Sequence, residues 1–257
     1  IVVAGSSIAL IVGLPLGRAI GIAVGWRVTF LIIAAIAFGV LGLLAAVLKK
    51  SPSDNNFSLR KLPALIKTPS LWGIYLLTLV AISGHFTAYS YIEPFLSRIA
   101  GLGNNAITVV LTLFGAVGLV GSFIFSRHYN NNVETFFKMA VAGLCFCLLM
   151  LLPASCTEWS AFLQCMLWGL SINFFNLSFQ SEIIRHAPQG TAVAMSIYSG
   201  IYNVGIGTGA LVGGSVCDGI GIRYIGYVGG AIALAAVIYC IRHVVPVLRH
   251  ATAGTGI

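Results

Sequence analysis

Apolar runs of about 20 residues succeed one another along this chain, separated by short polar gaps. That is the length a helix needs to cross the hydrocarbon core of a bilayer. The runs are apolar on every side, whereas the strands of a membrane barrel alternate apolar and polar positions. The pattern predicts eight spans, at residues 2–23, 28–48, 71–97, 104–126, 134–153, 159–183, 191–216 and 224–246. The expected fold class is therefore an all-α polytopic membrane protein. The longest polar interruption, Lys49–Ser70, holds Lys49, Lys50, Arg60, Lys61 and Lys67, with a short interfacial helix expected at Leu59–Lys67. It divides the chain into two spans before it and six after.

Composition agrees with the pattern. Charged residues make up 8% of the chain and hydrophobic ones 58%, against roughly 25% charged in soluble domains. The formal charge of +8 does not mark a nucleic-acid binder, because the basic residues sit in the gaps and are not clustered with exposed aromatics. Their distribution orients the chain instead. With Lys49–Ser70 in the cytoplasm, that side also receives Arg127, Lys138, Arg185, Arg242 and Arg249; the other keeps Arg18, Arg27, Arg98 and Arg223. The C-terminus is then cytoplasmic. Of the six cysteines, Cys145, Cys147, Cys165 and Cys240 fall inside apolar runs, where a small buried side chain is the expectation. No metal site, cofactor site or disulfide framework is expected. No His-Glu-x-x-His or Ser/Lys constellation points to an enzyme. The chain opens on Ile1 within an apolar run, so the expectation is a fragment lacking its first helices.

Gly13, Gly17, Gly21 and Gly25 recur every fourth residue, which lines one helix face with hydrogen and admits a close neighbour. The pattern returns 196 residues later: Gly13 aligns with Gly209, Gly17 with Gly213, Gly25 with Gly221 and Arg27 with Arg223. Spans one and two then map onto spans seven and eight, six helices on. The expected parent is two six-helix halves related by an axis along the membrane normal. Residues 1–48 would be the last two helices of the first half, 49–70 the cytoplasmic loop between halves, and 71–257 the second half. Gly205-Ile-Gly-Thr-Gly209 looks like a nucleotide fingerprint, but it lies inside a span with no strand before it, so helix packing is the expectation.

The motif Gly13-Leu-Pro15-Leu-Gly17-Arg18, followed by Gly25-Trp26-Arg27, resembles the fifth helix of exporters in the major facilitator superfamily, in the variant of its arabinose and sugar efflux branch. Tyr75-Leu-Leu-Thr78 and His85-Phe-Thr-Ala-Tyr89-Ser-Tyr-Ile-Glu93-Pro94-Phe95 resemble the seventh helix of bacterial sugar efflux transporters. Gly200-Ile-Tyr-Asn203 through Gly205, Gly209 and Gly213 resembles their eleventh. The likeness implies a major facilitator fold with the eight spans as helices five to twelve. It also implies export of sugars or sugar-like molecules, by proton antiport through alternating access, in a bacterial inner (plasma) membrane. The partners implied are cargo, protons, membrane lipid and the missing N-terminal helices. The chain departs from the family at Phe125, where the relic of a signature loop would carry Asp. Two other readings remain: export of drugs or nucleosides, and a truncated, transport-dead protein that only packs with a partner.

Transport needs polar groups deep in the spans, and polar groups facing lipid are costly. His85, about 21 Å along its helix from Leu71, is the first candidate, for cargo and for protons. Tyr89 and Glu93 follow at one-turn intervals, Glu93 as a second proton or outer-gate candidate, with Pro94 expected to bend the helix. Asn173, Asn176 and Gln180 share a face of span six, and their amides suit sugar hydroxyls. Asn203 joins them on span seven, whereas an aromatic cage would favour drugs. Trp168 is expected to serve packing more than stacking on cargo. The stripe Thr108, Thr112, Gly115 and Ser122 suits close helix packing, and Glu182 with Arg185 suits a surface salt bridge more than a gate latch. Gly13, Pro15, Gly17, Arg18, Gly21, Gly25, Gly205, Gly209 and Gly213 form the expected packing and gating motif.

Overall fold

The structure is a computed structural model, and it describes residues 13, 16–47, 68–131, 133–188 and 190–248. Pro15 and the segment 48–67, with its expected interfacial helix, lie outside the described residues. The helices are α1 (16–24), α2 (Trp26–Val47), α3 (Pro69–Tyr89), α4 (Ile92–Arg98), α5 (Asn104–His128), α6 (Val133–Leu149), α7 (Glu158–His186), α8 (Thr191–Asp218) and α9 (Ile225–Tyr239). A π-helical turn, Cys240–Val244, extends α9. No strand occurs among the described residues. Among the described residues, five stretches are long and apolar enough to cross a membrane: Trp26–Val47, Pro69–Arg98, Asn104–Asn131, Glu158–His186 and Ile222–Leu248. The 17-residue α6 and the 28-residue, glycine-rich α8 occupy two more expected spans. The described part of the first expected span is α1.

Among α5 to α9, short connections join successive helices. Local chemistry fixes some of their ends. Thr157 caps α7, accepting from the Ser160 amide while the Ser160 hydroxyl accepts from the Thr157 amide. Arg185 and His186 close the same helix, where cations complement the helix dipole. The seventh expected span is broken: α3 stops at Tyr89, a turn takes Ser90 and Tyr91, and α4 restarts with Pro94 in its first turn. Proline lacks the amide proton for the Ser90 carbonyl and its ring collides with it, which ends a regular helix.

The core is built around α3. Its small residues meet the second glycine ladder on α8. A Cβ at Gly209 would lie 2.5 Å from the Ser83 carbonyl and 2.8 Å from the Phe86 Cβ, and Gly213 lies equally close to the Thr87 carbonyl. Tyr75 and Tyr91 donate across the same interface to the carbonyls of Ala194 and Ala210, at 3.0 and 3.1 Å. The Ser83 and Thr208 hydroxyls meet there at 2.7 Å. On its other side α3 approaches α9 at Gly84, whose Cβ would lie 2.7 Å from the Gly229 carbonyl. Between α5 and α7 the Phe114 carbonyl rests on Gly169. Backbones this close gain dispersion contacts that larger side chains would prevent.

The first glycine ladder differs. Cβ atoms at Gly13 and Gly17 would meet nothing within 4 Å among the described residues, and one at Gly21 meets only the Thr29 hydroxyl, at 3.6 Å. Helix α2 buries none of its residues although it is apolar all round. Gly25 and Gly221, which the 196-residue offset aligns, both take positive φ, 89° and 102°, at the turn before the next helix. A side chain would strain either turn.

Candidate functional site

Side chains from four helices meet around His85. It lies on α3 and is 3% exposed. The Trp168 indole nitrogen of α7 donates to its Nδ1 at 3.0 Å. Indole only donates, so Nδ1 carries no proton and the neutral ring holds its proton on Nε2. Among the described residues Nε2 has no hydrogen-bond partner. Tyr89 stacks on the imidazole at 5.1 Å between centroids, while Phe86 and Trp168 meet it edge-on at 4.8 and 5.4 Å. Phe114 from α5 packs on both Tyr89 and Trp168. Tyr202 from α8 meets Phe86, with Tyr198 beside it. Edge and offset ring contacts of this kind add about 0.5–1.5 kcal/mol each beyond burial.

His85, Tyr89 and Asn176 are brought to one place. Asn176 on α7 lies near the Tyr202 side chain. The rims of Phe86, Tyr89, Tyr202 and Asn176 stay half-buried. The result is a ring-lined wall whose polar tips are an imidazole N–H, phenol hydroxyls and an amide. Such a wall can stack on a sugar ring and exchange hydrogen bonds with its hydroxyls.

Asn173 sits elsewhere. It points at α5, where Cβ atoms on Gly118 and Gly121 would lie 3.1 and 2.7 Å from its amide. Its Oδ1 is buried without a partner. Asn203 is exposed, one position beyond Tyr202, and donates to the Ser199 carbonyl of its own helix at 2.8 Å. Ser196, Ser199, Asn203 and Gly207 make an exposed polar stripe along α8. Glu93 on α4 is exposed and pairs with Arg18 of α1 at 2.9 Å.

Two expectations are corrected. Glu182 and Arg185 are not a surface pair: the Glu182 side chain is 2% exposed. It accepts from the Tyr129 hydroxyl at 2.8 Å, with Arg185 at 3.4 Å and His186 at 3.6 Å. The Tyr129 hydroxyl and the Arg185 guanidinium offset the cost of burying this carboxylate. We expect Glu182→Ala to lower the detergent melting temperature, because the Tyr129 hydroxyl is left with only its longer bond to the Ser178 carbonyl, at 3.3 Å, a lost hydrogen bond costing about 0.5–1.5 kcal/mol, with Glu182→Gln milder. Equal melting of Glu182→Ala and parent would refute the buried network. Thr108, placed in a packing stripe, accepts a hydrogen bond from Arg18 at 2.6 Å.

The Trp168–His85 pair escaped the sequence reading, although a signal existed. Both lie deep in apolar runs, and a buried donor and a buried acceptor each need a partner.

Comparison with known proteins bears on this arrangement. The family described as Major Facilitator Superfamily matches residues 1–195. A "Probable sugar efflux transporter" of Helicobacter acinonychis (strain Sheeba) is 46% identical over 91% of this chain and 60% of its own length. One of the same description from Pasteurella multocida (strain Pm70) is 47% identical over 90% of this chain and 57% of its own. The chain thus spans less than two thirds of the length of these relatives.

Proposed function

Because the chain belongs to the major facilitator superfamily, we propose that the protein carrying it is a secondary transporter and not an enzyme, exporting sugars or sugar-like molecules by alternating access with proton exchange. The observation that carries the reading is the wall around His85, where aromatic rings and hydrogen-bonding groups lie side by side. The relatives' printed names support the cargo class. In this reading residues 1–48 end the first six-helix half, 49–70 is the cytoplasmic connection, and 71–257 is the second half, in a bacterial inner membrane with the C-terminus inside. Three surfaces support the expectation of further helices: the bare glycine face of α1, the unburied α2 and the exposed polar stripe of α8. Polar residues in a span are costly against lipid.

Asn176 and Tyr89 are the proposed cargo contacts beside His85, with Asn203 reaching the cargo from the α8 stripe. Asn173 is proposed to act from the α5–α7 interface, its unpaired Oδ1 turning to cargo only when that interface loosens. Proton coupling is proposed at Glu93 and at His85. A second proton on His85 would make Nδ1 a donor facing the indole donor, so uptake there requires Trp168 to move.

One observation favours a second cargo. Rings of His85, Phe86, Tyr89, Phe114, Trp168 and Tyr202 gather at one place, which also suits flat aromatic drugs or nucleosides. Counterflow into proteoliposomes separates the two, using radiolabelled pentoses, hexoses, nucleosides and aromatic cations. Sugar counterflow, accelerated by an opposing proton gradient, is the expected result. Counterflow of aromatic compounds alone would replace the sugar reading, and none of either would sink transport.

A further inference from the structure

Three buried side-chain atoms have no hydrogen-bond partner among the described residues: Asn173 Oδ1, Ser178 Oγ and the Tyr198 hydroxyl oxygen. Of the three residues, Tyr198 is the one whose side chain joins the rings around His85. It meets Tyr202 edge-on at 5.8 Å between centroids, and Tyr202 in turn meets Phe86.

Other buried tyrosines use their hydroxyls. Tyr75, Tyr129 and Tyr198 are 1%, 5% and 4% exposed. Tyr75 donates to the Ala194 carbonyl, and Tyr129 to Glu182 and the Ser178 carbonyl. The half-buried Tyr91 donates to the Ala210 carbonyl. Each of these bonds ties two elements together, whereas the Tyr198 hydroxyl ties nothing among the described residues. A phenol hydroxyl both donates and accepts, and burying one unpaired costs stability. Phenylalanine would fill the same space without that cost, so the oxygen suits a group that the described helices do not supply.

The place of Tyr198 on α8 indicates which group. At about 100° per residue, Tyr198 shares the face of Gly205 and Gly209, which packs on α3. Tyr202, one turn and about 6 Å further along, lies between that face and the exposed stripe of Ser199 and Asn203. Tyr198 therefore underlies the edge of the wall proposed for cargo, with the half-buried Tyr202 ring over it.

We infer that Tyr198 is a specificity-determining residue: its hydroxyl, held free of protein partners, bonds a hydroxyl of the cargo once the Tyr202 ring turns aside, and so selects hydroxylated cargo over flat aromatic compounds. The inference rests on the sugar-export reading and deepens it. A site that buries a polar group for a cargo hydroxyl rejects analogues lacking that hydroxyl, because the group then stays unpaired.

The test uses the full protein that carries this chain. In detergent without cargo, Tyr198→Phe is expected to melt at the parental temperature or above it, because the change removes an unpaired oxygen and keeps the ring. Tyr75→Phe, which loses the bond to the Ala194 carbonyl, is expected to melt lower. In proteoliposomes, Tyr198→Phe is expected to raise the half-saturating sugar concentration for counterflow by roughly tenfold, and to leave any counterflow of aromatic compounds unchanged. A series of monodeoxy sugars identifies the hydroxyl: the parent discriminates against one member, and Tyr198→Phe no longer does. A lower melting temperature for Tyr198→Phe, or its failure to accumulate, would give the hydroxyl a partner within the folded protein and overturn the inference. Parental sugar affinity in Tyr198→Phe would also overturn it, as would an equal loss for aromatic compounds. A parent that moves no sugar ends the sugar-export reading and the inference together, whereas sugar counterflow that Tyr198→Phe leaves unaltered removes Tyr198 alone.

Discussion

Replacing His85 by alanine is expected to reduce sugar export by at least about tenfold, the equivalent of about 1.4 kcal/mol of lost interaction, with protein level unchanged. The substitution removes the Nε2–H proposed for cargo and the ring on which Tyr89 stacks. It also strips the Trp168 indole of its acceptor, and an unsatisfied buried donor costs about 1–3 kcal/mol. A companion change separates these effects. Trp168→Phe keeps an aromatic ring beside His85 but removes the donor that holds Nδ1 unprotonated. It should weaken apparent cargo affinity and alter the proton dependence of export more than it alters stability. Export by His85→Ala at the parental rate would remove His85 from the cargo path.

Gly209→Val is expected to prevent stable assembly. Its Cβ alone would lie 2.5 Å from the Ser83 carbonyl and 3.0 Å from the Thr87 amide nitrogen. Backbone atoms cannot swing aside, so α8 would have to leave α3, taking with it the bonds from Tyr75 and Tyr91. Overpacking of a core costs about 1–3 kcal/mol when side chains can relax, and more where backbone is struck. Gly207→Ala is the matched control, since a Cβ there meets nothing within 4 Å among the described residues. Alanine is the better helix former by about 1 kcal/mol, so Gly207→Ala should match or exceed the parent. Fluorescence-detected size-exclusion chromatography after a temperature ramp reads both. Equal melting of Gly209→Val and parent would contradict the close approach of α3 and α8.

The two glycine ladders show how far sequence carries. Spacing alone marked both as close-packing faces and aligned them across 196 residues. Gly25 and Gly221, which the offset aligns, both take positive φ, as does Gly101. Spacing does not say what each face meets. The second ladder lies on α3, whereas Gly13 and Gly17 have no neighbour within 4 Å among the described residues.

The candidate site divides in the same way. His85, Tyr89 and Glu93 share a helical stripe by periodicity, yet the break at Ser90 and Tyr91 places Glu93 on a separate piece beside Arg18. Asn173 and Asn176 are three residues apart on one helix and serve different surfaces, the first against the α5 glycines and the second at Tyr202. Glu182 was read as a surface acid because one residue type at a helix end says nothing of Tyr129 folding over it.

Hydropathy determined the all-α membrane class, because the cost of placing polar backbone or charge in hydrocarbon acts on each segment independently of its neighbours. The partners of particular polar side chains were decided only in the folded bundle. Trp168 reaching His85 and Arg18 reaching Glu93, Asn104 and Thr108 are contacts between residues 75 to 90 apart in sequence. Such contacts depend on how helices rotate and dock, which local periodicity does not encode.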